Sequence, residues 1–246
     1  MYIVLTAYAV KNYAASYVDR SNSKGELNMN KKNSESTRRI VGIALFTAIV
    51  IVLQLLGSFI RFGPFSISLV LVPIVVGAAL YGVWSGAWLG FIFGMVVLLS
   101  GDAAPFLSVN PLGTIVTVLV KGICAGLLSG MAYKALEKIG SYFAALVSAI
   151  VCPIVNTGIF LIGCKLFFMD TITGWATGWF DSLAKTGEFF SDFIATHVLS
   201  KGAGAAVSSY IIFGLVGFNF LFELLVNIIL SPVIVQLIKV GKRRNS

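Results

Sequence analysis

Apolar positions in this chain come in long uncharged runs separated by short polar breaks, the pattern of helices that cross a bilayer. Ile40–Ile60 carries no charge over 21 residues, and a membrane helix needs roughly 20. Phe62–Gly101 is forty uncharged residues, roughly 60 Å as a helix and twice the bilayer core. It must fold back. The expected turn is Tyr81-Gly82-Val83-Trp84-Ser85 between two short helices, with Pro73 bending the first. Asp102–Asn110 reads as a loop holding Pro105. Asn110 as N-cap and Pro111 at the first position open a fourth helix that runs to about Tyr133, with Lys134, Glu137 and Lys138 closing it. Ser141–Cys164 is the fifth helix and Ser208–Ile238 the sixth. The pattern predicts an all-α integral membrane protein with six transmembrane helices over residues 39–238 and a basic tail at 239–246.

Basic residues fix the orientation. The lead-in holds Lys31, Lys32, Arg38 and Arg39, the tail Lys239, Lys242, Arg243 and Arg244, and the fourth-to-fifth loop Lys134 and Lys138. The other side shows Arg61, Lys165, Lys185 and Lys201. A bias of ten to four places both termini in the cytoplasm of a multi-pass cell-membrane protein. Residues 1–38 differ from the rest. Met1–Val10 is apolar but lacks the basic start of a secretory signal, and Lys11–Asn28 is polar without a pattern. Gly25-Glu26 can be encoded by a purine run resembling a bacterial ribosome-binding site just ahead of Met29. The expectation is that Met29 is the true start in a bacterial gene and residues 1–28 a translated leader. The alternative is a disordered cytoplasmic extension.

Composition narrows the class further. With 58% hydrophobic residues, 11% charged and mean hydropathy +0.94, the chain has less than half the charged share of a soluble domain. The net charge of +8 sits at the edges of apolar runs rather than on a face for nucleic acid. Cys124, Cys152 and Cys164 lie inside such runs, an odd count without CxxC spacing, and read as small buried hydrophobes. No GxxxxGK[ST] is present, so the chain holds no nucleotide by a P-loop. No HExxH occurs, and His197 is the sole histidine, which excludes a histidine-built metal site. Gly126-Leu127-Leu128-Ser129-Gly130 falls one glycine short of an intramembrane serine-protease pattern. Asp102 has no carboxylate neighbour in sequence for acid–base chemistry. The chain reads as no enzyme.

Small residues form ladders. Gly82, Gly86, Gly90 and Gly94 recur every fourth residue on the third helix, Gly122, Gly126 and Gly130 on the fourth, and Ala44 and Ala48 on the first. Such ridges let helix backbones approach closely where lipid removes the hydrophobic drive. The glycine ladders read as internal packing; the alanine pair fits packing or a partner surface. With the six short helices, the basic lead-in, the Ala44-Leu45-Phe46-Thr47-Ala48 step and the glycine-rich third helix, residues 37–244 resemble the substrate-binding (S) components of energy-coupling factor (ECF) vitamin importers. The resemblance implies that Ala44 and Ala48, matching the family's AxxxA motif, dock on a transmembrane coupling subunit. That subunit sits on two cytoplasmic ATPases, which use the ATP, and this chain binds no cofactor of its own. It further implies that a small water-soluble vitamin binds among the last three helices. The Lys and Asp pattern of riboflavin-specific members is missing from Ser66–Val75, which disfavours riboflavin.

Ionisable groups inside a membrane are costly and mark function. Lys121 lies roughly 15 Å into the fourth helix, with Thr114 and Thr117 on its face. Glu223 is central in the sixth, flanked by Asn219 and Asn227, with Ser231 continuing the stripe. Asn156 lies at comparable depth on the fifth. In one reading Lys121 and Glu223 pair and the amides are interhelical glue. In the other Lys121 meets a ligand carboxylate or phosphate, as pantothenate or a folate would offer, and Asn156 and Asn219 add directional hydrogen bonds. Between Lys165 and Lys201, Trp175, Trp179, Phe180, Leu183, Phe190 and Ile194 recur at helical spacing among Asp181, Lys185, Glu188 and Asp192. This predicts an amphipathic helix in the outer interface, either an anchor or a lid whose Trp175 or Trp179 stacks on a ligand ring. The competing function is a stand-alone channel or secondary carrier with Lys121 and Glu223 as its ion-coupling pair.

Overall fold

The computed structural model describes residues 35–58, 61–62, 65–66, 69–185 and 203–245. The leader, Met29, Phe190, Ile194 and His197 lie outside the described residues. One compact unit spans Ile43–Arg244 and a second unit includes the residues up to Gly42. Helices dominate: α1 Glu35–Gly57, α2 Leu71–Tyr81, α3 Val83–Leu99, α4 Ala104–Leu107, α5 Pro111–Leu136, α6 Ser141–Phe167 and α7 Met169–Ala184. After them come α8 Ala203–Ser209, a π-helical stretch Tyr210–Val216, α9 Gly217–Ile229 and α10 Ser231–Asn245. A two-residue antiparallel pair, β1 Arg61–Phe62 with β2 Phe65–Ser66, precedes α2.

By length and composition α1, α5 and α6 can each cross a membrane, and residues 219–229 and 231–241 pass only together, as a pair bent by 50° that is a broken span or a re-entrant loop. The other apolar helices, α2 and α3, have 11 and 17 residues. Several local expectations are met where single residues dictate geometry. Gly82 separates α2 from α3 at φ 95°, a conformation open to glycine and costly for other residues. Asn110 caps α5, its Oδ1 accepting from Gly113 N at 3.0 Å, with Pro111 next in the turn where a missing N–H costs nothing. The three cysteines are free thiols, two buried and one partly so.

Four expectations need correction. The chain from Phe62 is not helical at first: it pairs as β1–β2, with Gly-Pro between the strands in sequence, a dipeptide that breaks helices. Pro73 therefore sits in the first turn of α2 and opens that helix instead of bending it. The expected loop after Asp102 contains α4, with Pro105 in its first turn. Finally, 208–238 is no continuous helix. Pro232 has no N–H for the carbonyl four residues back and clashes with it, so α9 ends at Ile229 and α10 starts afresh at Ser231.

Helices α3, α5 and α6 form the centre: α3 packs on α5, α5 on α6, and α2 reaches all three. The glycine ladders interlock. A Cβ on Gly90 would strike the carbonyl of Gly122, one on Gly86 that of Gly126, and one on Gly94 would lie 3.0 Å from the Val118 oxygen. These pairings run in opposite directions along the chain, so α3 and α5 are antiparallel. Across the next seam, Ser148 Oγ donates to the Ser129 oxygen at 2.8 Å. Beneath α2 and α3 a core of Leu71, Ile74, Leu89, Ala145, Ile234 and Ile238 is fully shielded.

α7 buries Ile172, Ala176 and Phe180, every fourth residue, and exposes Thr173, Thr177 and Asp181 on its other face. Its amphipathic character is as the sequence pattern predicts.

Gly90→Ala should destabilise the protein by about 1–3 kcal/mol or more, because the colliding atoms are backbone and have nowhere to move. Gly158→Ala, at a helical glycine with open space around it, should stabilise by about 0.5–1 kcal/mol. Thermal unfolding of both variants in detergent measures the difference; equal melting temperatures contradict the interlock.

Candidate functional site

Lys121 projects from the middle of α5, one residue before Gly122. The close approach of Gly90 and Gly122 brings α3 so near that Phe93, one turn further along, lies under the lysine. The Nζ atom sits 5.6 Å from the Phe93 ring centre and 5.4 Å from that of Phe160 on α6. Two aromatic faces thus hold the ammonium group where water is scarce, an attraction that strengthens with desolvation.

Beside it is a cavity of about 40 Å³. Thr114, Thr117 and Lys121 form one wall, sharing a face of α5, and Asp102 stands in another. Thr114 Oγ1 donates to the Asn110 oxygen at 2.8 Å. Thr117 is held against Gly163, where a side chain would collide with it, and among the described residues its buried Oγ1 has no hydrogen-bond partner. Asp102 follows Gly101, whose φ of 84° turns the chain off α3. Its Oδ2 accepts from Gln54 Nε2 at 2.9 Å, Ser58 Oγ at 2.8 Å and Ser100 Oγ at 3.0 Å. Charge-assisted bonds of this kind are roughly twice as strong as neutral ones, and they tie α1 to the cavity wall.

Aromatic rings close the cavity. Phe106 on α4 meets Phe160, Phe168 and Trp175 edge to face, at 5.6, 5.0 and 5.2 Å between centres. Trp175 therefore touches a ring of the cavity wall. Trp179 points elsewhere, packing on Phe180 at 5.0 Å and Tyr210 at 5.6 Å. A space of this size holds a water molecule or two. Drug-sized ligands need several hundred Å³, more than this space offers.

A second polar centre lies across Lys121, where α9 packs on α6. Glu223 is 2% exposed, Asn227 1% and Asn156 5%. Asn219 Nδ2 donates to Glu223 Oε1 at 3.2 Å and Asn227 Nδ2 to the Glu223 main-chain oxygen at 2.8 Å. Asn156 faces the same carboxylate. Glu223 is the charge that acts most strongly on Lys121, with Asp102 weaker. Among the described residues Glu223 Oε2 has no hydrogen-bond partner. The structure thus gathers Lys121, Asn156, Asn219 and Glu223 into one region, puts Trp175 at the cap, and leaves Trp179 off the cavity wall. Ala44 and Ala48 lie on α1, both exposed.

Sequence reasoning missed Asp102 and Gln54 as part of the site. A signal existed for Gln54: it is the one amide in the α1 run and shares a helical face with Thr47 and Ser58. Among the described residues no group of three or more His, Cys, Asp or Glu side chains is placed to hold a metal ion.

A small, mostly apolar cavity carrying Asp102, Thr114, Thr117 and Lys121 inside a helical bundle is compatible with a solute-binding transport subunit. The family model of the ECF transporter substrate-specific component matches residues 38–235. The chain belongs to that family, a family of transporter subunits rather than enzymes. Comparison with curated proteins and with solved structures returned no match.

Asp102→Ala would leave buried Gln54 with no carboxylate to donate to. It should cost about 1–3 kcal/mol of stability and loosen α1, seen as faster amide exchange there. Ser108→Ala, which removes only a local exposed bond, should change neither.

Proposed function

We propose that this chain is the high-affinity capture subunit for a small water-soluble vitamin or related micronutrient, importing it only when joined to an ATP-driven coupling complex. Membership of the substrate-specific family over residues 38–235 carries this reading. The site geometry supports it, because Lys121, Glu223, Asn156 and Asn219 are polar groups held inside the bundle with an aromatic cap over one side. Trp175, in contact with Phe106, belongs to that cap. Trp179 joins the site only if α7 rearranges.

The partner side of the proposal is α1. Ala44 and Ala48 are exposed, as are Leu45, Val52 and Leu56. A small-xxx-small step facing outward can receive another helix at short range, and a transmembrane coupling subunit carrying two cytoplasmic ATPases is the partner that fits. In this reading α1, α2, α3, α5, α6 and the bent last span make six crossings, residues 39–238 form the membrane domain and 239–246 a cytoplasmic tail. Both termini lie in the cytoplasm of a bacterial cell, translation starts at Met29, and ATP is used by the partners alone.

In proteoliposomes, uptake of the captured vitamin should require the coupling subunit, the ATPases and ATP. An ion gradient acting on this chain alone should drive none. The double variant Ala44→Leu, Ala48→Leu should keep the wild-type ligand affinity and lose uptake at least tenfold. Normal uptake by that variant would remove the docking assignment, and gradient-driven uptake without ATPases would make the chain a secondary carrier.

A further inference from the structure

One hydroxyl in the cavity wall departs from the pattern of the helices around it. The hydroxyls of Thr47, Ser58, Ser85, Thr114 and Thr173 each donate to the carbonyl four residues back, at 2.8 to 3.0 Å, the ordinary local partner of a helical Ser or Thr. Thr117 does not. It is 4% exposed, pressed against Gly163, and among the described residues its Oγ1 has no hydrogen-bond partner. A hydroxyl buried in this way costs free energy unless something meets it. Thr117 is also part of the wall of the cavity, with Thr114, Lys121 and Asp102. Lys121 turns its Nζ to the ring faces of Phe93 and Phe160, and an ammonium group has three N–H donors to place.

Charge and volume decide what suits this space. Lys121 and Asp102 stand in the wall with opposite signs, and Glu223 acts on Lys121 from α9. An anion would therefore meet two carboxylates. A metal cation would sit against the Lys121 ammonium group. The wall offers it three oxygen-bearing side chains, Asp102, Thr114 and Thr117, where such ions take about six ligands or more. Water is neutral, accepts from an ammonium or hydroxyl group and donates to a carboxylate. A cavity of about 40 Å³ has room for one or two molecules, and this wall supplies the two to four polar partners that each needs.

We infer that the cavity is a built water site. One or two ordered waters accept from Lys121 and bond to the Thr117 hydroxyl and the Asp102 carboxylate. They tie Lys121 to the same carboxylate that receives Gln54 and Ser58 from α1. The water belongs to the chain with or without a solute. A solute group that reaches this wall either keeps the water as a bridge or displaces it, and displacement loses affinity unless the entering group makes the same bonds.

Radiolytic hydroxyl labelling of the full chain in detergent, read by mass spectrometry, tests this, because radicals formed from a bound water oxidise the side chains beside it. Phe106 and Phe168 line the cavity and are 4% and 2% exposed, while Phe180, at 5%, lies outside its wall. Phe106 and Phe168 should be labelled several-fold faster than Phe180. Thr117→Val keeps the side chain's shape and removes its hydroxyl. It should lower the melting temperature by about 2–4 °C and slow the labelling of both rings. A dry cavity reverses the sign, because removing an unmet buried hydroxyl stabilises. Labelling of Phe106 and Phe168 no faster than that of Phe180, or a melting temperature unchanged or raised by Thr117→Val, overturns the inference. A melting temperature that rises with sodium chloride relative to choline chloride gives the space to a cation and overturns it as well. If Thr117→Val does not fold, the labelling of the unaltered chain decides alone.

Discussion

The close contact between α3 and α5 is the constraint on which the remaining structure depends. Lipid gives no reward for bringing apolar surfaces together, so these helices adhere through van der Waals contact between backbones that only glycine allows so near. Gly86 on Gly126 and Gly90 on Gly122 set both spacing and register. From that register comes the site. Phe93 arrives under Lys121, the end of α3 comes level with the start of α5, and Asp102 is delivered to the cavity beside Thr114 and Thr117. A wider separation would leave the ammonium group without its aromatic face and the cavity without its acidic wall.

Within this frame polarity is concentrated in two places and kept out elsewhere. At Asp102 three donors from α1 and the end of α3 converge on one carboxylate oxygen, which holds α1 to the cavity wall. At Glu223 the partners are amides: Asn219 Nδ2 donates to Oε1 and Asn227 Nδ2 to the main-chain oxygen. α1 joins the two halves of the account, since its inner face donates to Asp102 while Ala44 and Ala48 look outward.

Features that depend on nearest neighbours were legible in the sequence. Asn110 followed by Pro111 can hardly do other than start a helix, Gly82 breaks an apolar run too long to be one helix, and a four-residue glycine period needs no tertiary knowledge to be seen. The alternating faces of α7 were equally plain. Features that depend on distant partners were not. Asp102 has no acidic or basic neighbour to flag it, and its donor Gln54 lies 48 residues away. The break before α10 was hidden because the residues around Pro232 are uncharged and mostly apolar, so hydropathy reads through a position that backbone chemistry does not. Lys121 and Glu223 were conspicuous as charges in apolar runs, but their mutual placement is a property of helix packing.

Native mass spectrometry of the full chain, released from a mild detergent with its lipids removed, tests the central claim most directly. The account predicts a one-to-one complex with a small solute, and release of that same solute on unfolding. A folded chain that carries no solute, gains none when exposed to cell extract, and conducts ions through a bilayer unaided would contradict it.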